Sequence, residues 1–323
     1  MALALWSAGA GLAEARCTGI DLRDHLTEST RARLDQDLAK VPYAMGNHWI
    51  ATKRGQRIDI LGTQHSGDSR MWAQMRTIRP LIEQAEAVFL EVTEPQMAEA
   101  DQDQEAFAQY FLLPPGKRLD RLLSAADWQT LSTRLADLGI EPASAALMQP
   151  WYLSDFLTGT DCRKRGFGSR QGLDDRIEAT ARDANVPTLG LEEPASGLAA
   201  LAGMPMSEQL KMLMLDARSA TRHEDLYVTL SEAYFDGRLT EGRIIMGWMM
   251  YRDLEVSRRE VKRLLRSFDA HVLDQRNRAW AKRLAARKED RLVVAVGAAH
   301  LAGKSGLLAL LAQRGYTLTQ GTP

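Results

Sequence analysis

Two histidines of this sequence share one local pattern, and their ring nitrogens can bind a metal ion or move a proton. Gly62-Thr-Gln-His65 and Gly297-Ala-Ala-His300 each follow a run of apolar residues that predicts a buried strand. In open α/β sheets, ligands bind outside the carboxyl ends of the strands, so both imidazoles are expected at one crevice. A glycine at a strand end lets the chain turn sharply or lets a ligand approach the backbone. Gly62 and Gly297 are therefore candidate ligand-binding positions.

Two glutamates occupy comparable positions. Glu91 lies at the end of the apolar segment Ala87–Val92, and Glu192 follows the short segment 188–191. A carboxylate beside a buried strand needs hydrogen bonds or a cation, because burial of an unpaired charge is costly. Arg276 can supply that cation, in which case the carboxylates belong to an ion pair and not to a reactive site.

The functional alternative is a single divalent ion with four ligands: His65, Glu91, Glu192 and His300. Two neutral imidazoles with carboxylates form a borderline ligand set, which suits Mn, Co, Fe or Zn better than Ca or Mg. Such an ion lowers the pKa of a bound water and polarises a carbonyl. A carboxylate that is not a ligand can then act as the general base.

Other motifs are weaker. Gly303-Lys-Ser before a predicted helix resembles the end of a phosphate-binding P-loop, but five residues separate Gly297 from Gly303 where a P-loop has four. The sequence contains neither His-Glu-x-x-His nor Gly-x-Ser-x-Gly, the commonest zincin and α/β-hydrolase signatures. Nucleotide binding is therefore disfavoured, and so are those two hydrolase classes.

The order of predicted elements indicates a mixed α/β fold. Residues 48–63 predict a β-hairpin, and the strand, helix and strand over 56–92 are typical of a βαβ unit with parallel strands. Residues 291–318 predict a strand, a glycine-rich loop, a helix and a last strand. Helices are predicted over 26–41 (with Ser29 or Thr30 as N-cap), 72–85, 125–138, 150–158, 173–184, 207–218, 223–235 and 256–286. We expect a largely parallel sheet flanked by helices, with a large helical insertion between the sheet halves, in a single domain over residues 16–323.

Composition excludes several classes of protein. The 323 residues include 41 Lys and Arg against 42 Asp and Glu, a net charge of −1, so no basic surface for nucleic acid is expected. Beyond the N-terminus, no segment approaches the roughly 18 apolar residues of a membrane span, and no stable membrane insertion is expected.

The N-terminus predicts export. Residues 1–15 are apolar and end in Ala13-Glu14-Ala15, which matches a signal-peptide cleavage site, although the basic start of a complete signal is missing. The alternative is a buried N-terminal helix. Export places the protein in the periplasm or outside the cell, where Cys17 and Cys162 either form one disulfide or remain two unrelated thiols.

These motifs together resemble the TraB/GumN family, which is related to the TIKI proteases and more distantly to the erythromycin esterase (EreA) and ChaN-like proteins. The likeness spans Pro42 to Leu318. Its residues are the two Gly-x-x-His motifs, Glu91, Gly190-Leu-Glu192, Arg276-Asn277 and the closing VAVGAAHLAGKSGLLALLAQRGY.

The resemblance implies a mixed α/β, EreA/ChaN-like domain whose two motifs meet in one site. By resemblance to the TIKI branch it also implies metal-dependent hydrolysis of a peptide or small-molecule substrate. His65 and His300 match the motif histidines, while Arg276 and Asn277 match a pair that orients a ligand or stabilises an oxyanion. The alternatives are a non-catalytic metal- or haem-binding protein of the periplasm and an accessory factor in polysaccharide export.

Overall fold

The structure, a computed structural model, describes residues 19–158, 172–219, 223–253 and 256–321. The predicted export signal over residues 1–15 lies outside this part of the chain, and so do Cys17 and Cys162. Export and the disulfide therefore stay predictions. Within the described residues, no helix is both long enough and apolar enough to cross a membrane.

A six-stranded sheet forms the centre of the molecule. In chain order its strands are β1 His48–Lys53, β2 Gln56–Thr63, β3 Ala87–Leu90, β4 Thr188–Gly190, β5 Arg291–Gly297 and β6 Thr317–Gln320. The spatial order is β4-β3-β5-β2-β1-β6; the first four strands pair in parallel, and β1 pairs antiparallel with both β2 and β6. This confirms the mixed, largely parallel sheet. Because β5 lies between β2 and β3, the second histidine motif emerges between His65 and Glu91.

The predicted hairpin forms as β1 and β2, with Lys53 opposite Gln56. Arg54 and Gly55 connect the two strands, and both have positive φ, 50° and 90°. Two such residues match the twist of antiparallel strands and fix their register. The register in turn determines which residues of β2 reach the sheet edge where the motif ends.

Helices cover both faces of the sheet. They are α1 Glu28–Leu38, α2 Met71–Glu83, α3 Glu94–Ala100, α4 Gln104–Phe111, α5 Leu119–Leu122, α6 Ala125–Asp137, α7 Pro142–Ala145, α8 Pro150–Thr158, α9 Leu173–Asp183, α10 Ser196–Ala202, α11 Met206–Arg218, α12 His223–Phe235, α13 Leu239–Asp253, α14 Arg258–Phe268, α15 Gln275–Ala285 and α16 Leu307–Ala312. Short 3₁₀ turns occur at Leu22–His25 and Ala298–His300.

The core explains the apolar run in β5. Val294 packs with α15 and α16 on one face of the sheet, whereas Val293 packs with α2 and α9 on the other. A parallel strand covered on both faces is apolar at successive positions, as observed here. The helical insertion comes in two parts, α3 to α9 between β3 and β4, and α10 to α15 between β4 and β5.

Two local predictions are wrong. Helix α1 is capped by Thr27, whose Oγ1 accepts from the Thr30 N–H at 3.3 Å; Ser29 and Thr30 lie inside the helix. The helix predicted over 256–286 is α14 and α15 joined by a π-helical segment, Asp269–Asp274. The extra residue per turn in a π-helix rotates the side chains of the next helix about its axis, and such segments are frequent at functional sites.

Candidate functional site

A cleft of about 1200 Å³ opens at the edge of the sheet where the parallel strands end. The predicted site residues that line it are His65, Glu91, Glu192, Arg276, Gly297 and His300. The structure thus brings both motif histidines to one cavity, together with both strand-end glutamates. The opposite walls come from helices of the insertion, among them α4, α8, α11 and α13.

Arg276 lies between the two glutamates. Its Nη2 donates to Glu91 Oε2 at 2.6 Å and to Glu192 Oε1 at 2.7 Å, and its Nε is 3.0 Å from both oxygens of Glu192. All three side chains are largely buried. The ion-pair interpretation, which the sequence left open, therefore describes the arrangement of the carboxylates.

The π-helical segment and the start of α15 position the arginine and its neighbour. Arg276 Nη1 donates back to the Val272 carbonyl at 3.2 Å, which holds the guanidinium near the segment that precedes it. Asn277, the next residue, points to His300. Trp280, one turn later, donates its indole N–H to Glu192 at 3.0 Å. One short stretch of helix thus contacts three of the predicted site residues.

His300 is held in one tautomer. Its Nδ1 lies 2.7 Å from Asn277 Oδ1, and the Asn277 amide nitrogen donates to the Ser305 carbonyl at 3.0 Å. The amide oxygen must therefore face the ring, so Nδ1 carries the proton and Nε2 is the unprotonated nitrogen. Nε2 lies 3.3 Å from Arg276 Nη1 and 3.8 Å from Glu91 Oε1. Burial lowers the pKa of His300 to about 4, so the ring is neutral at pH 7.

The two glutamates differ in their ionisation. Burial opposes the charge on Glu91, but His300, the Arg276 guanidinium and the Gly297 N–H, 2.7 Å from Oε1, lower its pKa to about 2. Burial instead raises the pKa of Glu192 above its ordinary value, although Arg276 and Trp280 oppose that shift. Glu91 is therefore the more firmly ionised carboxylate, and it is also the more exposed of the two to the cleft.

His65 contrasts with His300. Its side chain is 64% exposed, and Nδ1 lies 3.1 Å from Asp174 Oδ2. The hydrogen bond to Asp174 raises the pKa of His65 to about 9 against the opposing effect of burial, and the charges of Glu91 and Asp175 add to the shift. At pH 7 the site therefore contains one cationic and one neutral imidazole.

The two motif glycines have different structural roles. Gly297, at the end of β5, donates its N–H to Glu91, and a Cβ there would lie 3.3 Å from Glu91 Oε1. Gly62 lies inside β2, where a Cβ would come within 2.8 Å of Leu301 and 3.0 Å of Ala298. Gly297 therefore keeps space beside a site carboxylate, whereas Gly62 allows the loop after β5 to pack on β2.

Known proteins are similar to this chain over most of its length. The family model described as TraB/PrgY/gumN matches residues 47–320, which include every predicted site residue. The chain belongs to the TraB/PrgY/gumN family. It is similar to the uncharacterized protein YbaP of Escherichia coli (strain K12), with 24% identity over 276 residues that cover 82% of this chain and 94% of YbaP. YbaP of Shigella flexneri matches with the same identity and coverage. No solved structure matches the chain.

An arginine guanidinium lies between the residues that the sequence predicts as metal ligands in this family member. Both motif histidines have Nδ1 beside an oxygen, as in metal-binding histidines, which makes Nε2 the potential ligand atom of each ring. The Arg276 guanidinium, however, already lies between Glu91 and Glu192 and beside His300 Nε2. Among the described residues, no three His, Cys, Asp or Glu side chains are close enough to hold an ion together. The donors suit a metal in type but do not fit one in this arrangement, and the metal stays a prediction.

Three contributors to this TraB/PrgY/gumN site were not predicted. Asp174 sets the charge of His65, and Trp280 stacks on His300 with ring centroids 4.4 Å apart. Tyr234 donates its hydroxyl to the Gly62 carbonyl at 3.0 Å, below the first motif. The spacing of Trp280 from Arg276, four residues on one helix, is the only sequence signal that indicates a contact among these.

Proposed function

We propose that this family member is a hydrolase whose reaction takes place between His65 and His300, on a peptide or a related small amide or ester. The observation that carries the proposal is that the two Gly-x-x-His motifs reach one cleft, where their imidazoles have opposite environments. Pairs of titratable groups whose surroundings separate their pKa values are typical of acid–base catalysis.

The surroundings of each side chain determine its role in the proposed reaction. Neutral His300 has an unprotonated Nε2, and ionised Glu91 lies 3.8 Å from it, so both are acceptors for a water, Nε2 once its 3.3 Å contact with Arg276 Nη1 has opened. His300 has the higher pKa of the two and is the stronger base. The water oxygen forms a bond to the substrate carbonyl carbon as its proton passes to Nε2. The bond to the leaving group then breaks, and cationic His65 supplies the proton that the leaving atom needs.

Arg276 and Asn277 contact the proposed bases: Arg276 lies 3.3 Å from His300 Nε2 and 2.6 Å from Glu91, and Asn277 lies 2.7 Å from His300 Nδ1. Asn277 is buried and fixes the His300 tautomer, so it is a positioning residue. Arg276 keeps Glu91 ionised and in place. The oxyanion role that the sequence predicted for Arg276 requires one of its N–H groups to leave a present acceptor.

The metal-dependent version of this hydrolase, with Mn, Co, Fe or Zn, is the form predicted from the sequence. Such an ion supplies a more acidic bound water and polarises the carbonyl. A chelator abolishes the activity of the metal-dependent hydrolase and leaves that of the metal-free hydrolase unchanged, so chelation distinguishes the two versions.

The test is peptide cleavage followed by mass spectrometry. Protein freed of metal with a chelator is incubated with a mixed peptide pool, alone and with each of the four ions. We expect cleavage that falls at least about 100-fold in His300→Ala and Glu91→Gln, the usual effect of losing a general base. His25→Ala is the matched control, because His25 is exposed and outside the cleft. Cleavage that depends on added ion supports the metal version, and cleavage that is equal in wild type and His300→Ala contradicts the proposal.

A binding protein for a large apolar ligand such as haem is the second candidate, and the walls of the cleft favour it. They include five methionine and three phenylalanine side chains: Met97, Met212, Met246, Met249, Met250, Phe107, Phe111 and Phe268. Methionine adapts to ligands of irregular shape. Titration with haemin tests this candidate: a Soret band that is lost in His65→Ala or His300→Ala supports haem binding. An accessory role in polysaccharide export and a periplasmic location stay predictions.

A further inference from the structure

The helical wall of the cleft contains a second group of polar side chains that the proposed reaction does not use. Ser154 lies on α8, Asp216 on α11 and His223 at the start of α12, and all three line the same cleft as His300. Helices α8 and α11 pack against each other, which brings Ser154 beside the Asp216 carboxyl.

Asp216 is a half-buried acid that has no cation to balance it within the described residues. The neighbouring hydroxyl of Ser154 lowers its pKa, and the cleft around it is lined by Met212, Leu215 and Leu226. Burial raises the pKa of Asp216 to about 7. A carboxyl in such surroundings gains most from a ligand that brings a positive charge, because the charge offsets the cost of ionisation.

Ser154 and His223 each offer an atom that is free to accept a hydrogen bond. Ser154 Oγ and His223 Nε2 are shielded from solvent and, among the described residues, have no hydrogen-bond partner. The Asp216 backbone carbonyl is an acceptor for the His223 ring, and a neutral ring that donates to it through Nδ1 has Nε2 as its unprotonated acceptor. Burial lowers the pKa of His223, and the charge of Arg134 lowers it further, which keeps the ring neutral.

We propose that Asp216, Ser154 and His223 form a subsite that binds a primary ammonium group. The three side chains present three acceptors, a carboxylate, a hydroxyl oxygen and an imidazole nitrogen. A primary ammonium carries three N–H donors and no acceptor, so it matches this set. The apolar lining on either side requires that the ammonium be carried on an apolar chain.

The subsite also determines which substrates the proposed hydrolase accepts. This part of the proposal rests on the proposed hydrolase activity. The ammonium comes either from the N-terminus of a peptide or from a lysine side chain, and both present the same –NH₃⁺ group. A substrate that extends from the subsite to His300 along the cleft places its scissile bond at a defined distance from the charged group. Binding itself does not depend on the reaction.

The experiment measures binding of n-octylammonium and of n-octanol, its uncharged analogue, by isothermal titration calorimetry at pH 7. We expect wild type to bind the ammonium at least about tenfold more tightly than the alcohol, and Asp216→Asn to lose about 10- to 100-fold of the ammonium affinity, the usual effect of removing a charged hydrogen-bond partner. Asp101→Asn is the matched control, since Asp101 is an exposed carboxylate that lines the same cleft. It should retain wild-type affinity.

Thermal unfolding confirms that Asp216→Asn is folded, and Ser154→Ala, with an expected loss of about three- to tenfold, provides a second variant. Two further ligands identify the source of the ammonium: a lysine-free peptide with a free N-terminus and an N-acetylated peptide with one lysine. Equal affinity of wild type for n-octylammonium and n-octanol, or an equal loss in Asp101→Asn and Asp216→Asn, overturns the subsite. A protein that binds the ammonium through Asp216 but cleaves no peptide contradicts the hydrolase alone.

Discussion

His300 donates its Nδ1 proton to Asn277 Oδ1 over 2.7 Å, and this contact determines which ring nitrogen faces Glu91 and Arg276. Asn277 cannot rotate to offer its nitrogen instead, because that nitrogen already donates to the Ser305 carbonyl. Consecutive residues of α15 therefore serve the two halves of the site: Arg276 orders the carboxylates, and Asn277 orders the histidine.

The first prediction concerns Asn277, which is only 2% exposed. Asn277→Ala leaves the His300 Nδ1–H and the Ser305 carbonyl without their present partners. Each buried unsatisfied group costs about 1–3 kcal/mol, so we expect the free energy of unfolding to fall by roughly 2–4 kcal/mol in a urea titration. Arg278→Ala is the control, since Arg278 is the next residue of α15 and its side chain is 56% exposed, so it should lose little. Equal stability of wild type and Asn277→Ala would show that the hydrogen bonds do not hold the ring.

The second prediction concerns the pH dependence set by His65 and Asp174. The pKa of His65 is raised to about 9 in the folded protein, above the roughly 6.5 of an unfolded chain. Its contribution to stability is thus fully present below pH 6.5 and is lost as the pH rises through 9. The contribution is small because the side chain is largely exposed. In Asp174→Asn we expect the pKa, followed by the NMR shift of the ring protons, to fall toward 6.5. A titration near 6.5 in wild type would contradict the assigned cationic role.

The sequence predicts those site residues whose positions follow from local periodicity and from the topology of the sheet. His65, Glu91 and His300 follow short apolar runs, and parallel strands must end at one edge, so their approach to a common cleft follows from the strand assignments. The sequence also named Arg276 as the possible counter-charge of Glu91.

The other features of the site depend on tertiary packing, which no local sequence pattern encodes. Asp174 reaches His65 from a helix more than 100 residues away in the chain, and nothing in its surroundings distinguishes it from other acidic residues. The π-helical segment before Arg276 was predicted as ordinary helix, because its six residues interrupt no apolar periodicity. The opposite charge states of the two motif histidines arise from the hydrogen bond of Asp174 to His65 and from the burial of His300, and both become known only with the fold.

The third prediction separates the two motif glycines. Gly62→Ala places a methyl group 2.8 Å from Leu301 and 3.0 Å from Ala298, so overpacking should lower the free energy of unfolding by about 1–3 kcal/mol. Gly297→Ala meets Glu91 Oε1 at 3.3 Å in a backbone conformation that alanine accepts, so we expect near-wild-type stability but reduced peptide cleavage. Urea titration and the cleavage assay on both variants measure the difference. The reverse pattern, with the larger loss of stability in Gly297→Ala, would contradict these roles.

The last prediction concerns the cation between Glu91 and Glu192. Arg276→Gln leaves two largely buried carboxylates without their counter-charge, and breaking a buried ion pair in this way costs about 3–5 kcal/mol. The same change frees Glu91 and His300 Nε2 to act as ligands, so Mn or Zn should raise the melting temperature of Arg276→Gln more than that of wild type. The double variant Arg276→Gln/Glu91→Gln is the control, because it lacks the carboxylate nearest to Nε2 and should lose the metal effect. An ion that stabilises wild type as strongly as Arg276→Gln would mean that the guanidinium does not compete for the cation position, and the predicted metal site would then be compatible with the arginine in place.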